Sequence, residues 1–254
     1  MGLLIFFLVA CQMLSISADT IIGGKEVPPH SMPYMAFLKL NVTNDGFSRC
    51  GGILISNNIV LTAAHCRGSN MKVILGAHNI ISKEKSWQEL QVCNTAPHPG
   101  YKGSKNDIML IKLKQKAVLN RFVLPLPIDY RARKVEPGNV CYVAGWGRYS
   151  ELNQRESPTL RIVDLKVVSK KACSEIFKKI NIRNLICAGD PKEKEKYSFF
   201  GDSGGPLFCG ADLQGIVHGG KEYRPPIGLY TEISPYIDWI RKTMHALKCK
   251  ENMI

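Results

Sequence analysis

The chain has 254 residues, 45% of them hydrophobic and 22% charged, which is ample apolar material for a buried core and far from a disordered composition. Its 34 Lys and Arg outnumber 21 Asp and Glu, giving a formal net charge of +13 that favours acidic partners (sulfated glycans, anionic membranes or nucleic acid) without choosing among them. Nine cysteines point to an oxidising compartment, and no Cys-x-x-Cys pair or Cys/His cluster has zinc spacing, so neither a metal nor a cofactor is expected.

The N-terminus agrees with the cysteines. Leu3 to Ala10 is an apolar run, followed by the small and polar Ser15-Ile16-Ser17-Ala18, the pattern of a secretory signal peptide over residues 1–18. No Lys or Arg precedes the run, and it is too short to cross a membrane. Removing residues 1–20 takes away Asp19 and Cys11 and leaves 234 residues, eight cysteines and a net charge of +14. No later stretch approaches a span of 18 apolar residues, so no membrane span is expected.

Short apolar or alternating runs then predict strands at residues 34–40, 53–55, 72–75, 108–113, 140–144, 160–165 and 215–217, punctuated by Gly, Pro, Asn and Ser. Many short strands of this kind indicate a β-barrel or sandwich. Ser169 is placed to cap a short helix from Ala172 to Lys179. Ser234-Pro235 predicts a second helix start, and Ile237, Ile240, Met244 and Leu247 give that helix one apolar face. The mixed charge run Lys192 to Lys196 reads as a solvated loop.

Three local motifs carry chemistry. Leu61-Thr62-Ala63-Ala64-His65-Cys66 sets a histidine at the end of an apolar strand, Asn106-Asp107-Ile108-Met109-Leu110 sets an aspartate before a buried one, and Gly201-Asp202-Ser203-Gly204-Gly205-Pro206 surrounds a serine with glycines. Each alone has an ordinary structural explanation. In this order, together with Ile21-Ile22-Gly23-Gly24, Gly145-Trp146-Gly147 and a terminal helix with Trp239, they resemble the chymotrypsin-like serine peptidase family over essentially all of residues 21–254. The resemblance implies an all-β fold of two six-stranded antiparallel β-barrels with a C-terminal α-helix. His65, Asp107 and Ser203 would be the catalytic residues, and the N–H groups of Gly201 and Ser203 the oxyanion hole. A new amino terminus at Ile21 would pair with Asp202 and order the oxyanion loop.

Thr20 before Ile21 is not a trypsin-type activation site. Signal cleavage after Ala18 would leave the dipeptide Asp19-Thr20, an arrangement similar to the granzyme, mast-cell chymase and cathepsin G branch. That branch implies an activating dipeptidyl peptidase, serpin-type inhibitors, a secreted protein stored in secretory granules for immune defence, and protein or peptide substrates. Sulfated proteoglycan is a candidate partner for the basic excess, and nucleic acid is not expected. Phe199 stands where a cysteine of the usual serine-loop disulfide would be.

The family framework implies disulfides Cys50–Cys66, Cys141–Cys209 and Cys173–Cys187. For Cys93 and Cys249 the sequence leaves open a mutual bond, a bond to another chain, or free thiols. Asn41-Val42-Thr43 is a glycosylation sequon at Asn41. By alignment, Tyr197 forms the floor of the primary substrate pocket, Gly220 and Gly228 its walls, Ser198 adds a hydroxyl and Phe200 covers the mouth. No Asp stands at the floor, so an apolar residue is expected before the scissile bond, with a chymotrypsin-like or mixed preference. An inward Tyr197 ring would favour smaller residues.

One departure stands out. The family's Ser-aromatic-Gly on the substrate-pairing strand is replaced by His218-Gly219-Gly220. His218 would either donate to Asp107 in the serine's place or distort it, and Gly219 removes a subsite wall. That departure and the charge keep a second reading in view, a catalytically weak basic protein that binds microbes or glycans.

Overall fold

The computed structural model describes residues 24–42, 46–129, 131, 134–148, 156–190, 192, 198, 201–218 and 226–249. The expected signal peptide, the Asp19-Thr20 dipeptide, Ile21, Tyr197, Phe200 and Gly220 lie outside them, as does most of the charge run.

The described residues form thirteen strands and two helices. A two-residue strand β1 (Lys25–Glu26) comes first. The first barrel follows, with β2 (Met35–Val42), β3 (Gly46–Ser56), β4 (Ile59–Thr62), β5 (Ser69–Leu75), β6 (Gln88–Pro97) and β7 (Met109–Leu113). These close into a six-stranded antiparallel barrel in the order β2-β3-β4-β7-β6-β5. Its core comprises Leu38, Leu54, Val73 and Leu75 on one face of the strands and Ile53, Leu61 and Leu110 on the other, all fully buried. β6 was not expected: its sequence, QELQVCNTAP, is polar and half-exposed, and it is recruited as a strand by pairing with β5 on one side and β7 on the other.

The second barrel is built from β8 (Val140–Gly145), β9 (Arg161–Lys166), β10 (Leu185–Gly189), β11 (Pro206–Cys209), β12 (Asp212–Val217) and β13 (Ile227–Glu232). They run in the order β9-β8-β11-β12-β13-β10, with β1 added outside β9. The two end strands approach through a single bridge, Val167 to Ala188. In β9 the buried Arg161, Val163 and Leu165 alternate with more exposed neighbours, the period of a half-buried strand. Between the barrels lies an aromatic layer in which Phe37 meets Trp146 edge-on, ring centres 5.7 Å apart, and Trp146 Nε1 donates to the His78 carbonyl at 2.9 Å.

Helix α1 (Lys170–Ile176) starts at Ser169, whose hydroxyl accepts from the Ala172 N–H at 3.2 Å. It ends three residues short of the expected Lys179 because Phe177 turns inward and is buried. The second start differs from expectation. Ser234 opens a 3₁₀ turn to Tyr236 and donates its hydroxyl to Glu232 at 2.9 Å instead of capping a helix. Helix α2 (Ile237–Ala246) follows and docks on the first barrel through Ile240 and Leu247, with Ile237 and Met244 alongside.

Four disulfides brace the chain: Cys50–Cys66, Cys93–Cys249, Cys141–Cys209 and Cys173–Cys187. The pair that the sequence left open ties β6 to the end of the chain across 156 residues. Closing a loop of that length stabilises by about 5 kcal/mol in the chain-entropy model. Among the described residues no helix is long and apolar enough to cross a membrane.

Candidate active site

Strand register brings His65 and Asp107 together across 42 residues of sequence. β4 and β7 pair antiparallel with Thr62 opposite Met109, so the residues just after β4 and just before β7 emerge at one end of the barrel. His65 sits there in a 3₁₀ turn, Ala64–Cys66, that Cys50–Cys66 staples to β3. Its Nδ1 lies 2.7 Å from Asp107 Oδ2, and its backbone N–H donates to Oδ1 at 2.9 Å. The carboxylate is almost wholly buried while the imidazole is 27% exposed. A histidine held this way keeps its Nδ1 toward the acid and leaves Nε2 as the edge open to a reactant.

Asp107 is held from below by Thr231 on β13, whose hydroxyl donates to its carbonyl at 3.0 Å. Burial pushes the Asp107 carboxyl up, but contacts with the imidazoles of His218 and His65 outweigh it and hold the group well below its ordinary range. The carboxylate is therefore a standing anion. His218 Nδ1 stands 2.9 Å from the same Oδ2, a close contact that lacks the geometry of a proper hydrogen bond.

Ser203 comes from the second barrel. Its carbonyl accepts from Gly51 N–H of β3 at 2.8 Å, and the Cys66 sulfur is 3.6 Å from that carbonyl and 3.7 Å from His65 Nε2. Serine and histidine thus flank one disulfide. The serine loop is stitched to β12 by Gly204 N–H to Val217 O (3.0 Å) and Val217 N–H to Gly205 O (2.8 Å). Gly201 has φ +99°, a conformation that side chains rarely adopt, and a Cβ there would come within 3.0 Å of Gly147 Cα. Asp202 is fully buried, and its Oδ1 accepts the Gly147 N–H at 2.8 Å. Its expected partner, Ile21, is outside the described residues.

Of the expected pocket residues, Ser198 is buried with its hydroxyl 3.1 Å from that of Tyr230. Gly228 lies against the same phenol, where a Cβ would meet the hydroxyl at 2.6 Å. Tyr230 is fully buried, and burial pushes its hydroxyl far up, so it stays neutral. Sequence reading missed Tyr230 and Thr231. Tyr230, an aromatic two residues after a wall glycine on the same strand face, was the available signal, whereas a lone Thr in an apolar strand gives none. Asn41 lies in β2, and Tyr197, Phe200 and Gly220 are outside the described residues. The ligand atoms of Cys50, His65 and Cys66 cluster within 4.8 Å, but both sulfurs are consumed in a disulfide and offer no thiolate to a metal.

The Trypsin family model matches residues 21–240. The chain is 47% identical to Granzyme B(G,H) of Mus musculus over 97% of its length and 100% of that protein, and 47% identical to Chymase of Papio hamadryas over 90% and 92%. It is 44% identical to Cathepsin G of Homo sapiens over 93% of its length and 92% of that protein. A solved structure described as "Structure of GrC" superposes with a TM-score of 0.82 at 42% identity, over 88% of this chain and 99% of that one.

Proposed function

Because the chain belongs to the trypsin family and is a chymotrypsin-like serine endopeptidase acting on peptide or protein substrates, we propose that His65, Asp107 and Ser203 form its triad. The observation that carries this reading is the buried Asp107 carboxylate gripping His65 at its backbone N–H and its ring Nδ1 beside a glycine-ringed serine. Ser203 Oγ attacks the scissile carbonyl carbon as its proton passes to His65 Nε2. Asp107 stabilises the imidazolium so formed. The carbonyl oxygen, now an oxyanion, is received by the N–H groups of Gly201 and Ser203. His65 then gives its proton to the leaving amine, and water releases the acyl group by the same steps in reverse.

The activation reading follows from burial. Asp202 is a fully buried carboxylate, a place where a cation forms a tightly held ion pair. An ammonium at Ile21, freed when Asp19-Thr20 is removed by a dipeptidyl peptidase, supplies that cation and orders Gly201. On this reading residues 1–18 are a signal peptide, 19–20 the activation dipeptide and 21–254 the peptidase domain, of a protein secreted or stored in granules. The neutral Tyr230 and Ser198 hydroxyls beside Gly228 carry no counter-charge for Arg or Lys, which supports a preference for apolar residues such as Phe, Tyr, Leu or Met. Serpin-type inhibitors and a sulfated proteoglycan are the partners this reading names.

A fluorophosphonate probe tests it. The form beginning at Ile21 is expected to be labelled at Ser203 and the form beginning at Asp19 nearly inert. Equal labelling overturns the switch, and no labelling of either overturns the triad. A positional-scanning peptide library on the processed enzyme tests the pocket; a dominant signal for Arg, Lys or Asp is the outcome that refutes an apolar preference.

A further inference from the structure

Two imidazoles meet one oxygen of Asp107. His65 Nδ1 is 2.7 Å and His218 Nδ1 2.9 Å from Oδ2, while Oδ1 is occupied by the His65 backbone N–H. His218 sits just beyond β12, with its N–H on the Leu229 carbonyl of β13 at 2.9 Å, and its ring is 2% exposed. Among the described residues its Nδ1 is a buried polar atom without a well-formed hydrogen bond, the kind of group that calls for a functional explanation. The strand that carries it is hydrogen-bonded to the loop of Ser203 through Val217.

Two phenols among the described residues also feel the Asp107 charge. Tyr101, from the segment before β7, and Tyr236, before α2, are both pushed up, first by burial and in part by the Asp107 charge, so they stay neutral in acid. No Lys or Arg contact to Asp107 is present among the described residues. The local charge balance is therefore one carboxylate against two imidazoles.

We propose that His218 is a second positioning imidazole on Asp107, and that protonating it silences catalysis by taking the negative charge which the His65 imidazolium needs. With His218 neutral, its buried ring stands against Oδ2 at 2.9 Å and helps hold the carboxylate toward His65. With His218 protonated, Asp107 is already neutralised at close range, and a proton moving from Ser203 to His65 creates a second cation on the same oxygen. A proton on His218 therefore opposes turnover independently of one on His65. The inference rests on the triad reading above and adds to it a residue that never touches substrate.

The pH dependence of kcat/KM for a chromogenic peptide decides it, measured on the processed protein. The expected acid limb of the wild type steepens to a hundredfold loss per pH unit, the signature of two protons. In His218→Ser and in His218→Gln, which keeps volume but cannot be protonated, the limb falls back to tenfold per unit. A tenfold limb in the wild type, or a hundredfold limb that persists in either folded variant, overturns the inference. If neither variant folds, NMR of the wild type takes over: ring resonances of His65 and His218 that both change through the acid limb support it, and a change at His65 alone overturns it. Ser203→Ala separates the two claims, since activity surviving in that variant refutes the triad itself, while a one-proton wild type refutes only the role of His218.

Discussion

The first barrel holds its share of the site by strand register, the second by loops. His65 and Asp107 follow and precede the paired strands β4 and β7, and that register alone carries them to the same end of a closed six-stranded barrel. Ser203 instead lies on a loop whose position depends on glycines, on the Asp202–Gly147 hydrogen bond and on two backbone bonds to β12. The second barrel is itself joined at one seam by a single bridge. A rigid acid–base pair set against a serine loop fixed by a few specific bonds fits the activation proposed above, in which one local event acts on the loop and leaves the barrel unchanged.

The largest expected effect breaks the comparison at its chemical end. Ser203→Ala should lower kcat by about 10⁴–10⁶-fold with KM nearly unchanged, read by steady-state hydrolysis of a peptide substrate. Asp107→Asn, at the register end, should cost about 10⁴-fold in kcat by releasing the His65 tautomer. It should also change acid stability. The native carboxyl is held below its ordinary value of 3.8, so its ionised form stabilises the fold above that value and the contribution is lost as pH falls below it. Melting temperature against pH should therefore fall less steeply in acid for Asp107→Asn than for the wild type.

Two smaller changes sharpen the contrast between register and loop. Leu61→Ala, in the core of the first barrel, should destabilise by about 2–5 kcal/mol in denaturant titration, with the residual folded enzyme keeping its kcat. Gly147→Ala forces a Cβ into the Asp202 carboxylate and should cost about 1–3 kcal/mol by the same titration, yet lose far more activity than Leu61→Ala. If both variants lose stability and activity in the same proportion, the two barrels do not divide the work this way. The smallest effect belongs to the half-exposed Lys72–Glu89 pair, at 2.6 Å between β5 and β6. Glu89→Gln should shift stability by under about 1 kcal/mol and vanish at high salt.

Much of this was legible because it is local or pattern-borne. Alternating runs marked β2, β5, β8 and β9, Ser169 marked α1, and the three motifs with their order marked the family and hence the two barrels. β6 was hidden because a polar strand is made by its neighbours, not by its own hydrophobicity. The cap at Ser234 failed because Ser234 lies inside a 3₁₀ turn, so α2 begins three residues later at Ile237 with Tyr236 in the cap position. The sequence could also not decide between a bond and free thiols for Cys93 and Cys249, since 156 residues separate two atoms that only the packing of the chain end on β6 makes adjacent.

By itself, then, the order of residues determined the family and, through it, the fold class, because the motifs that carry the resemblance are local runs of sequence. The tertiary structure alone decided the state of the Asp107 carboxylate and where His218 stands beside it. Which of donor and distorter His218 would be was open while it was only a substitution in a motif. It became a second imidazole 2.9 Å from the oxygen that holds His65 only when β12 and the strand pair β4–β7, from different barrels, converged on one buried charge, where low solvent screening makes a single proton matter.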